Sequence, residues 1–146
     1  MHSTTGDAQN GDIERIGMLR KIVLIVIKVL VCLNLFYGAF FFKFPGVPFS
    51  IALFTTMSDA VHGIISQPVF RIGAGLFETI GPILFLIPRT ARFGAAFIAT
   101  YMIGVLMSHI FVLGYGMAFV DALITFLLPC LYLYMTRPGH AKRYAD

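Results

Sequence analysis

The chain has 146 residues, of which 58% are hydrophobic and only 12% charged, with a mean hydropathy of +0.86. A soluble domain of this size has too little interior to hide that much apolar surface, so the excess must face lipid. The net charge of +4 does not imply nucleic acid, because the basic residues flank apolar runs and form no patch interleaved with stacking aromatics. Lys and Arg placed in that way orient a membrane protein and meet anionic headgroups.

Residues 1–17, rich in Gly, Thr, Asn and Asp, predict a mobile tail. A four-span membrane domain is expected over 18–137, and a second short tail over 138–146. The first span covers 22–42 and follows Arg20 and Lys21. It is too long for a secretory signal, whose apolar core covers about 7 to 15 residues. Between spans one and two, Phe49, Leu53, Met57 and Val61 recur every four residues while Thr55, Asp59, His62 and Ser66 mark the other side. That pattern predicts an amphipathic interfacial helix over 49–65, with Pro48 at its start and Pro68 at its end, capping one end of the bundle. Spans two, three and four follow at 70–87, 93–113 and 117–135, each close to the ~20 residues that cross the hydrocarbon. Gly114, Tyr115 and Gly116 turn the chain between the last two. The expected fold is all-α: a membrane four-helix bundle with an interfacial helix between its first two spans.

Cys32 and Cys130 lie singly in apolar runs, which provides neither a disulfide framework nor a dithiol redox pair. Four ionisable side chains fall inside the spans: Lys28, Glu78, His109 and Asp121. A charge at a helix centre costs about 2.5–3.5 kcal/mol on insertion scales, so these groups should face the bundle interior. Helix periodicity puts Arg71, Gly75, Glu78 and Pro82 on one nearly bare face, with Ala74 and Gly81 beside it. Ala96, Thr100, Gly104 and Ser108 make a small-residue stripe expected to pack against a neighbouring helix. Asp121 and Thr125 share a face of span four, and Pro129 deprives the carbonyl of residue 125 of its helical donor. Matching depths predicts Lys28 with Glu78 and His109 with Asp121; Lys28 can instead snorkel to the headgroups. These pairs either lock the bundle or form a reactive site. A bis-histidine haem is excluded, since only His109 lies at membrane depth. Asp59 and His62 are read as a solvated helix face rather than metal ligands, and no metal is expected.

Lys43 closing span one in FFKFPG, the run RIGAGLFETIGPILFLIP with Glu78 ten residues before Pro88, the small residues Gly94, Ala95 and Ala96, and His109 ending span three together resemble the DoxX-like family of small four-span membrane proteins. The resemblance covers roughly residues 20–136. It implies a four-helix membrane bundle and, for some relatives, quinone-linked oxidation of sulfur compounds or membrane complexes that handle oxidative stress; other relatives act in assembly of membrane proteins. Lys43, Glu78 and His109 match the family's polar landmarks, whereas Lys28 and Asp121 carry no transferable role. The leading expectation is a quinone-interacting subunit of a membrane redox system, with Glu78 or His109 exchanging protons and Lys28, Lys43, Arg71 and Asp121 completing an intramembrane polar network. No haem, flavin or iron–sulfur signature is present, so a redox partner protein would supply the electrons. The alternative is a non-enzymatic scaffold or assembly factor gripping another membrane protein; a proton or small-solute pathway is a third. Further expected partners are the lipid bilayer and other copies of the chain, and the expected location is a bacterial inner membrane.

Arg15, Arg20, Lys21, Arg89, Arg92, Arg137, Lys142 and Arg143 fall on one side of a four-span arrangement, against Lys43 and Arg71 on the other, so both termini should be cytoplasmic. A reporter enzyme active only outside the cytoplasm is therefore expected to work when fused after Gly116 and to fail when fused after Asp146. The reverse pattern would overturn the orientation, and activity at both sites would overturn the span count.

Overall fold

The computed structural model describes residues 4–137, with side chains from Glu14 onward; the expected tail at 138–146 lies outside the described residues. Five helices follow one another: α1 (Thr4–Tyr37), which continues as a π-helical segment Gly38–Lys43; α2 (Pro48–Ala60); α3 (Gln67–Leu86); α4 (Ala91–Ser108), which continues as a π-helical segment His109–Leu113; and α5 (Met117–Met135). Four of them are long and apolar enough to cross a membrane, over Glu14–Lys43, Gln67–Leu86, Ala91–Leu113 and Met117–Met135. The expected all-helical, four-span architecture is what the chain forms. Residues 4–17 differ from the expected irregular tail, because α1 already runs through them; once a helix is nucleated, each added residue gains a hydrogen bond at little further cost.

The four long helices form a closed ring in which α1 lies beside α3, α3 beside α4, α4 beside α5 and α5 beside α1. The fifth, α2, packs on α3 and touches the π-helical ends of α1 and α4, so it covers one end of the bundle. It stops at Ala60, five residues short of the expected end. His62 and Gly63 both take positive φ, 54° and 73°, and Ser58 donates to the Ile65 carbonyl at 2.8 Å, which ties the turn back on the helix. Pro68 sits in the first turn of α3, where a missing N–H costs nothing.

The end of the bundle away from α2 is densely packed. Ile27, Val31, Cys32, Phe85, Ala95, Ile98 and Tyr132 belong to one buried cluster there. Arg20 donates to the Met135 carbonyl, so a cation from α1 satisfies the C-terminal end of α5. Between α3 and α4, a Cβ on Gly94 would lie 2.3 Å from the Phe85 nitrogen, and one on Gly81 would lie 2.7 Å from Ile98 Cγ1. Bare backbone is thus what lets these two helices meet. The packing face of α4 runs through Ala91, Gly94, Ala95, Ile98 and Met102, all buried. The stripe expected to serve that purpose points elsewhere: Ala96, Thr100 and Gly104 are exposed, because the seam lies about one residue further round the helix.

Gly94→Ala should lower the melting temperature in detergent sharply, as overpacking typically costs about 1–3 kcal/mol and here the clash is with backbone that cannot rotate away. Gly104→Ala, whose Cβ meets nothing within 4 Å, should melt at or above the parent. Equal effects at the two positions would show that α3 and α4 do not meet at Gly94.

Candidate functional site

Towards α2 the helices separate and enclose a cavity of about 700 Å³, within the range of roughly 300–1,000 Å³ usual for small-molecule sites. Phe42, Phe49, Phe54, Phe70 and Phe77 contribute aromatic wall, and Glu78, Lys43, Tyr101, Asn34, Asp121 and His109 contribute polar atoms.

On its wall Glu78 Oε2 lies 2.7 Å from Lys43 Nζ, with side chains only 8% and 17% exposed. The other carboxylate oxygen, Oε1, accepts from the Tyr101 hydroxyl at 3.0 Å. Room for this arrangement comes from Gly38, where a Cβ would lie 2.9 Å from Glu78 Oε2. Arg71 supports it from the entry of α3: its guanidinium donates to the Lys43 carbonyl, with the Phe44 carbonyl 3.5 Å away. Gly46, at φ 67°, then turns the chain where any side chain would strike that guanidinium, a Cβ lying 2.9 Å from Arg71 Nη1.

Lys28 does not reach Glu78. Its ammonium lies 5.6 Å from the Phe85 ring centre and 5.4 Å from that of Tyr132, over two rings that themselves pack edge to face. The reason is directional. Helical side chains lean towards the N-terminus of their own helix, so Glu78 on α3 leans towards the α2 end, while Lys28 on the antiparallel α1 leans away from it. Lys43, at the far end of the same rod, leans back into the bundle and meets the carboxylate.

His109 and Asp121 are not paired either. The His109 ring, buried, places Nδ1 3.3 Å from the Gly114 carbonyl and contacts Phe119 edge-on. Asp121 takes its hydrogen bonds from Asn34, whose Nδ2 lies 3.1 Å from both carboxylate oxygens and 2.8 Å from Thr125 Oγ1. Each has its partner elsewhere, His109 at the Gly114 carbonyl and Asp121 at Asn34 across the α1–α5 contact.

Tyr101, Asn34 and Ser50 belong to the site without having been expected there. Asn34 is an amide in an otherwise apolar stretch, and Tyr101 is the hydroxyl-bearing residue of α4 that falls opposite Glu78; counting uncharged polar side chains as well as ionisable ones would have found both. Ser50 is 4% exposed, lines the cavity, and its Oγ has no hydrogen-bond partner among the described residues. The buried face of α2 runs through Ser50, Phe54 and Ser58, one residue round from the expected Phe49 stripe, whose Phe49 is exposed. Two buried prolines add to the polarity at this level: Pro82 and Pro129 leave the carbonyls of Glu78 and Thr125 without their usual helical donors.

No family model matches the chain, and neither a curated protein nor a solved structure matches it.

A double-mutant cycle should locate the ion pair. Lys43→Met and Glu78→Gln should each destabilise the bundle by about 3–5 kcal/mol, the usual cost of stranding one member of a buried pair, and together by much less than the sum. Lys28→Met and Glu78→Gln should add without coupling. Coupling at Lys28 and none at Lys43 would overturn this geometry.

Proposed function

We propose that this chain is a DoxX-like membrane protein that holds a quinone in the cavity beneath α2, and that Glu78 passes protons there on behalf of a membrane redox system. The observation that carries the reading is the cavity itself, in which a buried carboxylate stands among aromatic side chains. A quinone ring is flat and apolar and its oxygens only accept hydrogen bonds, so it needs aromatic walls and spare donors. Both are present. Lys43 has three N–H donors and one carboxylate partner, and the Ser50 hydroxyl is uncommitted. A quinone supplies two-electron, two-proton chemistry, and the electrons come from a redox partner protein. Glu78, with Tyr101 on one oxygen and Lys43 on the other, is placed to hold and release a proton at the cavity wall. The exposed Asp121, held by Asn34, stands where a proton can be received from the surface, and the buried His109 lines the same cavity. In the proposed topology the cavity lies in the outer half of a bacterial inner membrane, with both termini cytoplasmic.

The alternative is a scaffold that grips another membrane protein or a second copy of the chain. It draws on the outward-facing Ala96, Thr100 and Gly104, small residues of the kind at which membrane helices associate.

Protein extracted in mild detergent should carry quinone in near-stoichiometric amount by mass spectrometry. The Lys43→Met, Glu78→Gln double variant, in which neither charge is stranded, should fold and lose it. Parent protein that neither retains quinone nor binds an added short-chain quinone would overturn this reading, and a persistent membrane-protein partner in its place would favour the scaffold.

A further inference from the structure

The ring contacts and close approaches between α3 and α4 set a register. Phe85 meets Gly94, Gly81 meets Ile98, and Phe77 stacks on both Phe97 and Tyr101 at 5.5 Å between ring centres. The facing positions move back along α3 by four residues as they move forward along α4 by three or four. Beyond the Phe77–Tyr101 stack, the next turn brings Ala74 and Gly73 to the level of Gly104 and Val105. Three residues with almost no side chain thus stand at the level of the cavity, and all three line it. A Cβ on Gly73 or on Gly104 would meet nothing within 4 Å, unlike one on Gly81 or Gly94. Gly104 and Phe77 are exposed on the outside of the bundle as well as lining the cavity. The two helices therefore touch along one half of their length and leave an unfilled gap along the other, with the Phe77–Tyr101 stack at its base.

We propose that this gap is a lateral window through which an apolar ring compound dissolved in the bilayer enters the cavity. The window is formed by Gly73, Ala74 and Gly104, and the entering molecule is received by the Ser50 hydroxyl on α2. The small residues alone would mark only a place where helices can approach. Ser50 shows that the space behind them is a binding site: its hydroxyl is buried on the cavity side of α2 with no partner among the described residues, and a buried donor left empty costs about 1–3 kcal/mol unless a ligand completes it. On the opposite side, between α1 and α5, the cavity is bordered by the exposed Asp121, which Asn34 ties across the two helices. An apolar molecule would have to pass a carboxylate there, whereas the α3–α4 gap offers Phe77 and glycine backbone. The window deepens the quinone reading by requiring a ligand that partitions into the membrane, but it stands on its own geometry.

The test uses thiol chemistry and no quinone. In liposomes containing the Ser50→Cys variant, N-ethylmaleimide, which dissolves in the bilayer, should alkylate the new cysteine, as located by peptide mass spectrometry that separates it from Cys32 and Cys130. Adding Gly104→Leu or Gly73→Leu should slow that reaction by about tenfold or more, as a modest added barrier would. Modification by a cationic, water-soluble thiosulfonate should keep its rate. A Cβ at either position meets nothing within 4 Å, and an unchanged melting temperature confirms that the bundle is intact. Unchanged alkylation in the Gly73→Leu, Gly104→Leu double variant would overturn the window, as would a Ser50→Cys variant that neither reagent modifies. Failure of the parent protein to bind quinone would sink the functional reading alone, since the labelling rates do not depend on it.

Discussion

An ammonium and a carboxylate 2.7 Å apart among phenylalanines set the terms for the rest of this bundle. Either charge alone at membrane depth costs several kcal/mol. Bringing them together makes demands on residues that touch no ligand. The end of α1 must loosen into a π-helical turn, Gly38 must be bare, and Arg71 must hold the Lys43 carbonyl while Gly46 turns the chain past it. Tyr101 occupies the second carboxylate oxygen, so the pair also fixes where α4 stands relative to α3. The site and the helix packing are in this sense one arrangement.

Lipid accounts for how much of this could be read in advance. A span has to satisfy its backbone internally and show apolar side chains outward, so apolar run length locates the four long helices. The four-residue pattern of Phe49, Leu53, Met57 and Val61 located α2 for the same reason, although its buried face is centred on Ser50, Phe54 and Ser58. Glu78 could be recognised as a residue that something must neutralise. Its partner could not, because depth points to Lys28 whereas the choice rests on the lean of side chains along antiparallel helices, which selects Lys43. The two π-helical turns are a second blind spot. A regular 3.6-residue projection continues straight through Gly38 and His109, where the real helices widen, so it misplaces the residues that follow.

Glycine shows how the same residue type serves opposite ends in the two halves of the molecule. At Gly81 and Gly94 the missing Cβ is replaced by a neighbouring helix, and dispersion across that contact holds α3 to α4. At Gly73 and Gly104 nothing replaces it. Between membrane helices the driving force is contact rather than escape from water, so a hollow costs only the contacts forgone inside it, and acyl chains or an apolar ligand can supply those contacts. A soluble bundle would have no such filler, and an apolar void of this size would draw the helices together. Close packing in one half can therefore hold the ring while the other half stays open.

The charges of the open half are not balanced in the same way throughout. Lys43 compensates Glu78, but among the described residues Asp121 is met only by the neutral amide of Asn34, at an exposed position beside the buried Thr125. An amide offers two hydrogen bonds and no opposing charge, so the carboxylate depends on its position near the end of α5, where water or headgroups reach it. The cavity consequently has a compensated, enclosed wall at Glu78 and an anionic, accessible one at Asp121. A proton attracted to the second wall is in a different dielectric from one held at the first. Such a difference in environment between two carboxylates is the condition under which they can take unequal roles, and here it follows from which of them the end of α1 supplies with a lysine.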